Sequence, residues 1–234
     1  MNDPIHGGAL ARLQHEVESC RRCPRLVGHC QRIAEVKRRA FLDWNYWGKP
    51  VPSFGDPDAR LLIVGLAPGA HGSNRTGRMF TGDASGDFLY DALHRTGFAS
   101  QGWARDVGDG LTLIDCYITA AVRCAPPKNR PRPDEFAACR DFLVRELSLL
   151  PNVRALLALG QLALDSYLNV LRSQGTALLK KDFRFGHAAL HRLPEGPPVL
   201  CSYHPSRQNT QTGRLSKSMM VGVLERAKDL VNAP

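Results

Sequence analysis

Three stretches of this chain concentrate residues that could do chemistry. The first, Gly65-Leu66-Ala67-Pro68-Gly69-Ala70-His71-Gly72, runs on through Arg75, Arg78 and Phe80 to Asp83. Its glycines let the backbone itself approach a bound group. With one carboxylate, one aromatic ring and two arginines, it suits a flat, neutral ring beside an anionic backbone better than a polyphosphate. Neither the Gly-Lys-Ser/Thr ending of a P-loop nor the G-x-G-x-x-G spacing of a dinucleotide site occurs in it. The second stretch, Val122 to Pro131, is basic and pinned by prolines, and it presents Lys128 and the amide of Asn129. Taken alone, Asn129 is better explained as a turn residue. The third runs from Ser202 through His204, Arg207 and Gln208 to Arg214. A histidine there can donate a hydrogen bond to a developing anion, and the small, polar and cationic residues after it suit phosphate contacts. Singly, His204 reads equally well as a packed core histidine.

The cysteines add a fourth constellation. Cys20 and Cys23 form C-x-x-C, and Cys124 and Cys139 follow much later in the chain. Four thiolates of this kind can cage a metal centre, although C-x-x-C alone is as well explained by a redox pair or by incidental cysteines. Spacing does not choose between zinc and iron-sulfur. A zinc deaminase is disfavoured, because no H-x-E accompanies a P-C-x-x-C. Cys30, Cys116 and Cys201 read as small buried hydrophobes. Seven cysteines cannot all pair in disulfides.

These stretches need elements to hold them. Leu61 to Val64 is a continuous apolar run, so Arg60 to Leu66 reads as a buried strand leading into the first loop. Ser85 to Thr96 follows as a helix, with Phe88, Leu89, Ala92 and Leu93 on one side. A second strand is expected over Thr112 to Ala121 and a helix over Asp134 to Leu150. A third strand over Val153 to Leu159, a helix over Gln161 to Leu171, a fourth strand over Pro198 to Tyr203 and a last helix from Leu215 to about Val231 complete the pattern. Upstream, two short helices flank the dicysteine turn, and Phe41 to Asp58, rich in Trp, Gly and Pro, reads as an ordered irregular loop whose aromatics pack. Leu171 to Pro197 is turn-rich and basic. Strands alternating with helices predict an α/β fold with a parallel sheet covered on both faces. All three loops then leave strands at the carboxyl edge, where ligands bind in such sheets.

At 234 residues the chain reads as one domain, with residues 1–58 the N-terminal helices around the dicysteine turn and an entry loop, and residues 59–234 the α/β core. The net charge of +9 points to a polyanionic partner. No run of about 18 apolar residues and no signal pattern is present, so a cytoplasmic protein with no membrane partner is expected.

Together, Gly65 to Gly72, Thr119 to Asn129 and His204 to Arg214 resemble the motifs of the uracil-DNA glycosylase superfamily, specifically its iron-sulfur family 5 branch of bacteria and archaea. The resemblance spans Cys20 to Arg214. It implies a three-layer α/β/α sandwich with a central four-stranded parallel sheet, and a structural [4Fe-4S] cluster on Cys20, Cys23, Cys124 and Cys139. It also implies removal of uracil from DNA by a monofunctional glycosylase. By the same resemblance Asp83, Asn129 and His204 are the catalytic set, Phe80 stacks on the extruded base, and Gly65, Leu66, Ala67, Pro68, Gly69 and Ala120 line its pocket. Arg75, Arg78, Lys128, Arg207, Gln208 and Arg214 are expected to meet DNA, double-stranded and also single-stranded. The protein is expected to act as a monomer associated with the nucleoid of a prokaryote.

Cleaving an N-glycosidic bond requires stabilising a departing base anion and placing a water at the anomeric carbon. His204 suits the first need, and Asp83 with Asn129 the second. The chain departs from other branches in two ways: Leu66 and Ala67 are apolar where those branches carry a polar residue, and Ala120 stands where they commonly place an asparagine. The first shifts water handling to Asp83 and Asn129. The second predicts relaxed base discrimination, extending activity to hypoxanthine and other deaminated bases. A non-catalytic metal-cluster protein that binds nucleic acid would share the charge and the cysteines. An oxidoreductase gains nothing from the sequence, which lacks a flavin or nicotinamide fingerprint.

Overall fold

The computed structural model describes residues 4–233, with side chains from residue 8 onward. Two N-terminal helices, α1 (Pro4–Ser19) and α2 (Pro24–Val36), flank the Cys20–Cys23 turn. The chain then alternates between strands and helices: β1 (Phe54–Gly55), β2 (Leu61–Gly65), α3 (Ser73–Thr76), α4 (Ala84–Arg95), β3 (Cys116–Ala120) and α5 (Pro133–Leu149). The second half comprises β4 (Ala155–Leu159), α6 (Gln161–Ser173), β5 (Leu190–His191), β6 (Val199–Ser202), α7 (Arg207–Gln211) and α8 (Lys217–Asn232).

Among the described residues the strands form one sheet in the order β1-β3-β2-β4-β6-β5. The four inner strands are parallel, with Ile63 level with both Ile118 and Leu157, and Leu157 level with Leu200. Both faces are covered. Leu61 and Ile63 pack with Leu89, Leu93 and Leu224 of α4 and α8, while Leu62 and Val64 pack with Leu164 and Leu168 of α6. That is why the strands read as unbroken apolar runs rather than alternating ones.

The expected parallel strands are there, and the sheet is wider than expected. Antiparallel edge strands lie in the segments read as irregular, β1 against β3 and β5 against β6. Each is two residues long, too short to show a period of two. The second strand is also shorter than expected. Asp115 takes a left-handed φ of 53°, and its carboxylate accepts hydrogen bonds from the backbone and side chain of Arg60. The residues before it pair instead with Phe98 to Ser100, through a bridge between Ala99 and Leu113.

A buried polar network fixes the second loop to the layers around it. The Arg123 guanidinium pairs with the Glu146 carboxylate of α5, and Glu146 also accepts from Thr119 of β3 and Gln14 of α1. Arg123 is 1% exposed and Glu146 0%, so neither charge is compensated by water. Losing one partner would strand the other in a low-dielectric interior.

Candidate active site

The first and third loops and the segment after β3 meet above the carboxyl ends of β2, β3 and β6, around a cavity of about 620 Å³. Asp83, Asn129 and His204 all line it. So do Gly65, Leu66, Ala67, Gly69, Phe80, Ala120, Arg207 and Gln208. Pro68 is buried behind the wall and does not line the cavity.

Asp83 is the N-cap of α4. Its Oδ1 accepts from the backbone N–H groups of Ser85 and Gly86, each at 3.0 Å. Among the described residues its Oδ2 takes no protein donor. That oxygen lies against Gly69 and Gly72, and a Cβ built on Gly72 would stand 2.0 Å from it. Gly72 is therefore glycine because the carboxylate occupies the place of its side chain. Burial raises the Asp83 pKa above the ordinary carboxylate range, against the two backbone donors and the charges of Arg207 and Arg75. The carboxylate is thus a stronger base than a solvated one.

Phe80 lies across the cavity floor against Gly65, with a φ of 52°, a conformation rare and strained for a bulky residue. Its ring centre is 5.7 Å from that of His204, the planes tilted by 32°. The loop after β6 holds His204 in place: the Ser206 hydroxyl caps α7, and Asn209 Nδ2 donates to the His204 carbonyl at 2.8 Å. Burial pushes the His204 pKa down to about 4, so the ring is neutral at pH 7. Asn129 also has a left-handed φ, 55°, at the end of a single 3-10 turn over Pro127–Asn129. Asparagine tolerates that region, which carries its exposed amide to the cavity rim.

The four expected metal ligands converge on a second, smaller space. Cys20 and Cys23 reach it from the turn between α1 and α2, Cys124 from the loop after β3, and Cys139 from α5, with Leu26, Val122 and Phe142 among its walls. None of the four is in a disulfide. Among the described residues no three His, Cys, Asp or Glu side chains stand together as a site for a single metal ion. As expected, Cys30, Cys116 and Cys201 are buried.

A profile described as the Uracil DNA glycosylase superfamily matches residues 52–228. A type-5 uracil-DNA glycosylase of Thermus thermophilus is 53% identical over 212 residues, covering 91% of this chain and 94% of its own length. The chain belongs to the uracil-DNA glycosylase superfamily. A second type-5 uracil-DNA glycosylase, from Mycobacterium leprae, is 48% identical over 224 residues, covering 95% of this chain and 96% of its own. A type-4 uracil-DNA glycosylase of Archaeoglobus fulgidus is 30% identical over 200 residues, or 85% and 82% of the two chains.

Within that superfamily frame, two expected DNA contacts need correction. Arg75 and Arg78 are buried, at 3% and 4% exposure. The Arg78 fork bonds both carboxylate oxygens of Asp109, at 2.9 and 2.7 Å, and holds the Asp109 pKa at about 2. Arg75 donates to the carbonyls of His71 and Gly82. Arg75 is thus drawn inward to satisfy the loop's own carbonyls, and Arg78 to pair with Asp109 and the Thr81 hydroxyl. Lys128, Arg207, Gln208 and Arg214 are exposed as expected, and Arg214 lies over the Tyr203 ring at 4.4 Å. Sequence reading gave no role to two ionisable cavity residues or to a third residue that touches one of them. His71 and Arg38 line the cavity, and the Tyr46 hydroxyl lies 3.1 Å from His71 Nδ1. His71 stood in view within the glycine loop, whereas nothing local marks Arg38 or Tyr46.

Proposed function

We propose that this chain is a DNA repair glycosylase that takes an everted uracil into the 620 Å³ cavity and hydrolyses its N-glycosidic bond, leaving an abasic site. One observation carries this reading: a carboxylate, an amide and a histidine from three separate loops line one cavity floored by an aromatic ring. A base inside a duplex is out of reach, so the nucleotide must leave the stack at a cost of a few kcal/mol, least at a mispair. Phe80 stacks on the extruded ring. His204, neutral at pH 7, donates a hydrogen bond to the base oxygen that gains charge as the bond breaks. The free oxygen of Asp83 and the Asn129 amide orient a water at the anomeric carbon, and the raised pKa suits Asp83 to accept its proton. The type-4 and type-5 relatives carry the name of the same activity.

The substrate range extends to hypoxanthine and other deaminated bases. Ala120 supports this, since its methyl group sits at the cavity wall and leaves no buried donor or acceptor for a different base to disappoint. The exposed Lys128, Arg207, Gln208 and Arg214 take the phosphates of double-stranded and single-stranded DNA, and the +9 charge favours residence on the nucleoid. The enzyme acts as a monomer, since all of these groups come from one chain.

Cys20, Cys23, Cys124 and Cys139 hold a [4Fe-4S] cluster. Zinc needs four sulfurs about 2.3 Å from one point, and among the described residues no three such ligands stand close enough to hold a single ion, although the four thiols share one space. A cuboidal cluster takes one thiolate at each separated corner, which suits four thiols spread around a walled space. Bound there, it supplies a structural tether. Cys124 and Cys139 bracket the segment that carries Asn129, and Arg25 of α2 ties the same segment through Glu135 and the Arg130 carbonyl.

Incubation with duplexes each holding one modified base, scored for strand scission after alkali, tests activity and range together. Scission at uracil and inosine supports both. Scission at neither, with DNA binding intact, returns the chain to a non-catalytic binding role.

A further inference from the structure

Arg75 has no place in the chemistry above, yet it is a buried cation held from several sides. Its Nε donates to the His71 carbonyl at 2.8 Å and its Nη2 to the Gly82 carbonyl at 2.7 Å. The guanidinium carbon lies 4.0 Å from the ring centres of both Phe41 and Trp44. Gly82 has a φ of 79°, and a Cβ there would stand 2.4 Å from Arg75 Nη2. Arg75 Nη1 is buried without a partner, and among the described residues Arg75 forms no ion pair. An arginine stays charged wherever it is placed, so a full positive charge is held here by two carbonyls and two ring faces.

The two bonded carbonyls frame the catalytic carboxylate. His71 precedes Gly72, against which Asp83 Oδ2 rests, and Gly82 precedes Asp83 itself. We propose that Arg75, clamped between Phe41 and Trp44, is the positioning residue for Asp83: it fixes the two backbone points between which the carboxylate is seated and holds a fixed positive charge beside them. This deepens the glycosylase reading and rests on it. Of the charged groups around Asp83, Arg207 and then Arg75 favour its ionised form, and Asp83 in turn raises the pKa of Asp87 one turn along α4. Removing the Arg75 charge therefore moves Asp83 titration to higher pH.

The test compares wild type, Arg75→Lys, Arg75→Met and Trp44→Leu in single-turnover release of uracil across pH, with affinity for an abasic duplex measured beside it. Arg75→Lys keeps the charge and loses the fork, so release falls roughly 30-fold or more while the acid limb stays in place. Arg75→Met loses both: release falls further, and the acid limb moves to higher pH. Trp44→Leu opens one face of the clamp and gives a smaller loss, which carries the test if Arg75→Met does not fold. Release within about threefold of wild type in both arginine variants overturns the proposal. So does a loss matched by abasic-duplex affinity with no movement of the acid limb, the mark of a merely structural residue. The Asp83 side-chain titration, followed by carbon NMR in wild type and Arg75→Met, separates this claim from the functional one. An upward shift supports the positioning role even if wild type releases no uracil, and an unmoved titration overturns it.

Discussion

The seat of Asp83 makes Gly72→Ala the most discriminating single substitution in the site. A Cβ at residue 72 would stand 2.0 Å from Asp83 Oδ2 and 2.7 Å from its Cγ. Ordinary contact begins near 3.4 Å, so the carboxylate must retreat by about 1.4 Å, or the loop must carry residue 72 the same distance. A misplacement of about 1 Å at a reacting group can cost roughly 100-fold in rate, equivalent to about 2.7 kcal/mol of barrier. The retreat also strains the bonds from Oδ1 to Ser85 and Gly86, and loss of an N-cap costs about 1 kcal/mol of stability. Gly72→Ala should therefore release uracil about 100-fold more slowly in single turnover while unfolding only slightly more easily and binding abasic DNA almost normally. A double-mutant cycle with Asp83→Ala completes the test. If residue 72 acts through the carboxylate, adding Gly72→Ala to Asp83→Ala costs little more. Wild-type release by Gly72→Ala, or an undiminished effect once Asp83 is gone, would refute the reasoning.

Further expectations follow from the same geometry. Uracil release should fall as pH drops, with a midpoint above the ordinary carboxylate range because burial raises the Asp83 pKa, and His204, neutral down to about pH 4, should add no inflection of its own between pH 6 and 8. His204 also couples stability to pH. The unfolded ring takes a proton below about 6.5 and the folded one only below about 4, so stability falls by at most about 3.4 kcal/mol across that window as pH drops. Denaturant melts of wild type against His204→Asn should show a steeper slope in wild type, the difference being the His204 share. Cys124→Ser should abolish the visible absorbance of the cluster and loosen the segment bearing Asn129, whereas a colourless wild type with stoichiometric zinc would contradict the iron assignment. Arg207→Ala and Arg214→Ala should each weaken DNA binding and reduce the salt slope by about one, read from affinity against ionic strength.

What the sequence determined by itself is local or carried by long motifs. The parallel strands are legible because a strand buried on both faces must be apolar at every position, as Leu61 to Val64 are. The three loops and the four cysteines are legible because their residue types are costly to keep without a use. Tertiary structure decided what depends on partners distant in the chain. The edge strands at Phe54 and Leu190 exist through their neighbours β3 and β6. Arg75 and Arg78 look like solvent cations in a glycine-rich loop, but the Phe41 and Trp44 rings and the Asp109 carboxylate, all remote in sequence, draw them inside. Arg38 reaches the cavity, and Tyr46 reaches His71 at its wall, because the entry loop folds back over α3, where the Trp47 backbone N–H donates to the Arg75 carbonyl. A one-dimensional pattern reports how much burial a residue can bear. Which charge meets which carbonyl is settled only when the chain closes on itself.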